Sequence, residues 1–118
     1  SILKYIGCSI LFLKSWFEYN FDEKTTWDNR GSYWHIDHII PCASFNLSNQ
    51  DEIYKCYNWS NLRPLEKKEN ISKSDSINKA IIYEYEEKAK SFLNQSAYTI
   101  NEGLHVLLPE VKALLRIQ

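Results

Sequence analysis

Asp37 and His38 are adjacent, and three more polar residues follow at Asn61, Asn70 and Lys73. Together these types and spacings suit hydrolysis of a phosphodiester. That reaction is slow because water is a poor nucleophile, charge builds on the phosphate and the leaving alkoxide is unstable. A base titrating near neutrality answers the first difficulty, and histidine is the usual one. A divalent cation held by oxygen ligands answers the other two. Asp37 and Asn70 offer a carboxylate and an amide oxygen, a hard donor pair that suits Mg2+ or Mn2+, and they leave His38 free as the base.

Geometry sets a condition on this assignment. Neighbours on a regular strand point to opposite faces, so Asp37 and His38 serve one site only if the backbone bends or leaves the strand there. Pro41 fits a strand that ends early. The Asn61 side chain, with two donors and an acceptor, can fix the bend by bonding backbone beside His38.

The run Trp34-His35-Ile36-Asp37-His38-Ile39-Ile40-Pro41, the Asn-Leu-x-Pro-Leu run at 61–65 and Asn70-x-x-Lys73 resemble the HNH endonuclease family. Its ββα-metal fold is shared by homing endonucleases, colicin DNases and one nuclease domain of the CRISPR effector. The signature positions fall on His38, Asn61 and Asn70. Further likeness in Ile6-Gly7-Cys8-Ser9, Leu13/Trp16/Phe17, Phe21 and Thr26-Trp27-Asp28-Asn29, to HNH proteins of phages and large DNA viruses, extends it over about residues 6–75. The resemblance implies a nuclease acting on double-stranded DNA and leaving 5′-phosphate and 3′-hydroxyl ends. It implies His38 as general base, Asp37 and Asn70 as metal ligands, Asn61 as the residue orienting the His38 loop, and Lys73 on phosphate. Arg63 and His35 are further candidates for DNA contact; an ion pair for Arg63 and a structural role for His35 are the plainer alternatives.

The elements needed to hold these groups can be read from pattern. Ser9 is a candidate N-cap for a helix to about Tyr19, with apolar residues at 10, 13, 16, 17 and 21. Residues 26–32 are turn-rich, and Tyr33–Ile40 reads as a strand. Ser48-Asn49-Gln50-Asp51 looks like a capping box opening a helix to about Tyr57. A second strand over 61–65, a polar helix over 66–74 and a longer helix over 77–94 follow. The last has Ile77, Ala80, Ile81, Tyr85, Ala89, Phe92 and Leu93 on its apolar face. Thr99 with Glu102, and Pro109, mark helix starts in the tail, where His105 reads as structural. The expected fold is α+β: a ββα-metal core at 33–75 with a two-stranded antiparallel hairpin and helix. A helical segment at 1–32 and a helical extension at 76–118 flank it, in a single domain of 118 residues. The flanking helices would supply apolar surface that a unit of about 40 residues lacks alone.

Composition narrows the class. Hydrophobic residues make up 44% and charged residues 25%, ordinary for a packed domain. The net charge of −1 argues against a protein that coats nucleic acid, but not against an enzyme that touches DNA briefly. Basic residues gather at Arg63, Lys67, Lys68 and Lys73, acidic ones between Glu18 and Asp37. Cys8, Cys42 and Cys56 form no C-x-x-C pair, so neither structural zinc nor a disulfide framework is expected. Reduced cysteines suggest an intracellular, non-secreted protein. The run Ile10–Leu13 is far short of the ~20 apolar residues of a membrane span. With no methionine in the chain, a fragment, a processed chain or an excised domain is expected, so further domains or subunits are expected partners. A catalytically silent HNH scaffold docking DNA or protein is the alternative function.

Overall fold

The computed structural model describes residues 2–73 and 75–95. It is α+β, with one two-stranded antiparallel sheet and several helices. In chain order these are α1 (Ile10–Tyr19), β1 (Trp34–His38), α2 (Gln50–Tyr57), β2 (Leu62–Glu66), α3 (Lys67–Ser72) and α4 (Lys79–Gln95). Short 3-10 turns lie at Ile2–Tyr5, Cys42–Ser44 and Trp59–Asn61. The expected tail helices and His105 lie outside the described residues. Among the described residues no helix is long and apolar enough to cross a membrane.

α1 begins where the sequence predicts. Ser9 is extended and its hydroxyl accepts from the Phe12 amide at 3.1 Å, satisfying a free helix-end donor. The buried face is largely the expected one, with Trp16 and Phe17 buried and Leu13 and Phe21 packed against the core, but Phe12 joins it and Ile10 leaves it. Phe12, Trp16 and Phe17 are inside, whereas Ile10 is 50% exposed and Leu11 69%. A buried hydrogen bond anchors this face: Trp16 Nε1 donates to the Leu62 carbonyl at 2.8 Å. That bond sets the rotation of α1 and brings Phe12, one turn earlier, inward with Trp16.

Aromatic packing joins the ends of the molecule to its centre. Phe12 meets Trp59 edge-on at 4.9 Å between ring centroids and Phe92 at 5.2 Å. Trp16 meets the same two rings at 5.3 and 5.4 Å. α1, the turn before β2 and α4 therefore share one core. α4 contributes Ile82, Tyr85, Ala89 and Phe92, with Glu86 also buried and its Oε1 3.5 Å from Lys90 Nζ. Ile77, Ile81 and Leu93 pack against this face as expected, Ile82 and Glu86 join it, and Ala80 is exposed. The helix starts at Lys79, two residues later than predicted, and the Asn78 side chain accepts from the Ile81 amide. Trp34, at the start of β1, is 1% exposed and sits among Phe17, Phe21 and Trp27. Trp27 itself is only half covered and donates from its indole to Glu18.

The strands pair in the register Trp34↔Glu66, His35↔Leu65, Ile36↔Pro64, Asp37↔Arg63 and His38↔Leu62. Pro64 is tolerated because each strand has only one neighbour. β1 is shorter than the predicted 33–40, and α2 is capped by Asn49, not Ser48: the Asn49 side chain accepts from the amides of Asp51 and Glu52. The core makes a stability prediction. Trp16→Ala should cost about 3–5 kcal/mol, the range for deleting a buried aromatic, and Trp16→Phe about 1–2 kcal/mol from the lost donor. Urea midpoints measured for both variants check the order; equal losses would contradict a role for the Leu62 hydrogen bond.

Candidate active site

Cross-strand register brings the first two groups together. Residues directly opposite on an antiparallel pair share a face, and Asp37 lies opposite Arg63. Arg63 Nε donates to Asp37 Oδ2 at 2.8 Å, with both side chains buried. The guanidinium also lies over the Tyr85 ring of α4, 5.1 Å from its centroid. Burial works against its charge, and Asp37 and Tyr85 together more than offset it, so Arg63 is held above its ordinary pKa. The other carboxylate oxygen is taken by Lys73, just past α3. Lys73 Nζ donates to Asp37 Oδ1 and to the His38 carbonyl, both at 2.6 Å.

His38 would face away from Asp37 if β1 ran on. Instead β1 ends at His38, and Asn61 takes over the next two amides. The Ile39 amide donates to the Asn61 carbonyl and the Ile40 amide to Asn61 Oδ1, each at 2.8 Å. Asn61 Nδ2 donates in turn to the Ile40 carbonyl at 3.2 Å and the Cys56 carbonyl at 2.9 Å. Buried to 2% exposure, Asn61 ties the chain after His38 to the end of α2. One cleft is consequently lined by Ile36, Asp37, His38, Pro41, Cys42, Asn70, Lys73 and Asp75.

His38 is half-buried in this cleft, edge-on to Tyr57 at 5.0 Å. Burial pushes its pKa below the usual histidine value; Asp37 opposes that shift and Lys73 adds to it. The shift favours the neutral ring. Its Nε2 is buried without a hydrogen-bond partner.

Two donor sets meet at this cleft. The hard set is Asp37 with Asn70. Oδ1 of Asp37 and the His38 carbonyl already converge on one positive centre, the Lys73 ammonium. Oxygens so arranged, with an amide on the same cleft wall, fit a hard divalent cation once the lysine moves aside. The soft set is His38, Cys42 and Cys56, whose ligand atoms lie within 4.8 Å of one another. Cys42 and Cys56 are 3.3 Å apart at sulfur. Sequence spacing did not suggest this second set, since 14 residues separate the cysteines. The signal was the inward face of α2, where Cys56 is the buried residue.

Of the residues singled out from sequence, the structure brings Asp37, His38, Asn70 and Lys73 onto one cleft, with Asn61 and Arg63 buried behind it. His35 is placed elsewhere. It lines a separate hollow with Arg30, Gly31 and Ile36, its Nε2 3.2 Å from the Gly31 carbonyl. Arg63 faces inward on Asp37. Lys73 lies on Asp37 and the His38 carbonyl.

Asn61 carries a direct prediction. Asn61→Ala strands the buried Ile40 amide and removes donors from two carbonyls, and each buried orphan costs about 1–3 kcal/mol. The variant should lose at least about 2 kcal/mol by denaturant titration, and the Ile39 and Ile40 amides should exchange with solvent far faster. Unchanged protection of those amides would contradict the clamp.

No family model matches the chain, and no solved structure matches it. It is similar to two uncharacterized proteins of Acanthamoeba polyphaga mimivirus. One is 53% identical over 74 residues, which is 63% of this chain and 33% of the relative. The other is 38% identical over 90 residues, 76% of this chain and 40% of the relative. The chain thus spans a third to two-fifths of the length of these viral relatives.

Proposed function

We propose that the chain is an HNH-type, metal-dependent DNA endonuclease whose ββα-metal core is β1, β2 and α3. The observation that carries this reading is the shared cleft: Asp37 and His38, neighbours on a strand, open onto one space with Asn70 and Lys73. A carboxylate, a neutral imidazole, an amide and an ammonium are the groups that phosphodiester hydrolysis needs side by side.

In this mechanism His38 accepts the proton of the attacking water. Asp37 and Asn70 would hold one Mg2+ or Mn2+ ion, which supplies positive charge to the phosphate and the leaving 3′ oxygen. Lys73, on a flexible stem and 22% exposed, exchanges Asp37 for a phosphate oxygen when duplex DNA arrives. Arg63 stays behind Asp37 and keeps its carboxylate oriented. Asn61 keeps His38 in the cleft. The products are a 5′-phosphate and a 3′-hydroxyl. In this reading His35, with Arg30 in the separate hollow, would meet the DNA backbone away from the scissile bond.

A catalytically silent, DNA- or protein-docking scaffold is the second reading, favoured by one feature. Arg63 and Lys73 together satisfy both oxygens of Asp37 without any metal. Supercoiled plasmid separates the two. Nicking with Mg2+, none in chelator, and a loss of about 10²–10⁴-fold in His38→Ala are expected of the nuclease. Binding without relaxation, or full activity in His38→Ala, would overturn it.

The pH dependence follows from the direction of the His38 shift. The base works as neutral imidazole, so activity falls as pH drops through its pKa, and burial holds that pKa below the ordinary 6.5. The acid limb of kcat/KM should therefore have its midpoint below pH 6.5. A midpoint above 6.5 would contradict His38, in this environment, as the base.

A further inference from the structure

We propose that His38, Cys42 and Cys56 form a binding site for one thiophilic divalent cation of the Zn2+ class, and that occupancy inhibits DNA cleavage by engaging His38. The inhibitory half rests on the nuclease reading above; the binding half does not.

The three residues come from different parts of the chain: the last position of β1, the turn after Pro41 and the buried face of α2. Asn61 draws them together, since its side chain bonds both the Ile40 backbone and the Cys56 carbonyl. Their ligand atoms lie within 4.8 Å of one another, with the sulfurs 3.3 Å apart. Zinc–sulfur and zinc–nitrogen bonds of about 2.3 and 2.0 Å set ligand separations of about 3.5–3.8 Å in a tetrahedron. The sulfurs need to part by a few tenths of an ångström and the imidazole to close by about 1 Å.

The chemistry of the surroundings favours a soft cation. His38 Nε2 is buried and makes no hydrogen bond, so coordination would displace no partner from it. Cys56 is fully buried and Cys42 half-buried. On binding, each thiol yields its proton to solvent and the two thiolates balance the charge of the cation. Three protein ligands leave a fourth position, and His38 and Cys42 both line the cleft, so that position opens toward Asp37 and Asn70. The site is thus distinct in donors from the hard pair and shares its cleft. A soft cation takes sulfur and nitrogen, Mg2+ takes oxygen, and the imidazole cannot bind a cation through the lone pair it needs for a proton.

Titration of the reduced full chain with Co2+, using a non-thiol reductant, tests the binding half. A sulfur-to-cobalt charge-transfer band and tetrahedral d–d bands should grow to one equivalent and vanish when Zn2+ is added. Both should persist in Cys8→Ser and be lost in Cys42→Ser and in Cys56→Ser. No charge-transfer band in the reduced wild-type chain, which needs no variant to fold, would overturn the site. So would a band that survives in the Cys42→Ser/Cys56→Ser double variant. For the second half, one equivalent of Zn2+ should suppress Mg2+-dependent plasmid nicking at least tenfold, reversibly on chelation. Cobalt bands with undiminished nicking would keep the site and overturn the inhibition, together with His38 as base. No nicking under any condition would remove the nuclease reading and leave the metal site standing on its spectrum.

Discussion

A backbone segment that has just left a sheet must find partners for its amides, and here Asn61 supplies them for the two residues after His38. The rest of the site depends on this clamp. Unsatisfied, the buried Ile40 amide would cost about 1–3 kcal/mol, and β1 would have every reason to continue as strand. Extended further, it would turn His38 away from Asp37. Asn61 is itself fixed from the core, because its 3-10 turn contains Trp59, which packs against Phe12, Trp16 and Phe92. Trp16 also bonds the carbonyl of Leu62, the next residue along. α1 and α4 are therefore the structural reason a small two-stranded sheet can hold the bent loop after His38.

The second constraint is charge. Asp37 is 5% exposed and carries two cationic partners. A buried carboxylate is tolerable only when paired, and removing one partner of such a pair costs about 3–5 kcal/mol. Arg63 is the permanent partner, locked by register and by Tyr85. Lys73, 22% exposed, is the more accessible one, reaching in from the chain beyond α3. The pairing surrounds Asp37 with a buried guanidinium on one oxygen and a partly exposed ammonium on the other.

Much of this was legible in the sequence, unevenly. Periodicity and capping residues located the helices to within a few positions, because Ser9 and the apolar spacing of α1 and α4 act locally. Most of the inward face of α1 was legible, Leu13, Trp16 and Phe17 among the expected residues, whereas the Trp16–Leu62 bond, spanning 46 positions, was not. The choice of Asn49 over Ser48 as cap is a one-residue matter that composition does not decide. Asp37, His38, Asn61 and Asn70 were singled out because their residue types and order are unusual, and the need for a bend followed from strand geometry alone; the structure brings Asp37, His38 and Asn70 onto one cleft. Arg63 as the partner of Asp37 required the register. The meeting of Cys42 and Cys56 required the packing of α2, and no spacing rule contains it. His35 shows the limit of simple alternation: it shares strand parity with Asp37, yet it lies over the Gly31 turn, drawn there by its contact with the Gly31 carbonyl.

Whether Asp37 and Asn70 hold a hard cation beside His38 is read, without any appeal to activity, by paramagnetic broadening with Mn2+. Substoichiometric Mn2+ should broaden the ring resonances of His38 well before those of His35, and Asp37→Asn should abolish the selectivity. Equal broadening of the two histidines, or selective broadening that persists in Asp37→Asn, would contradict a metal centre at this cleft.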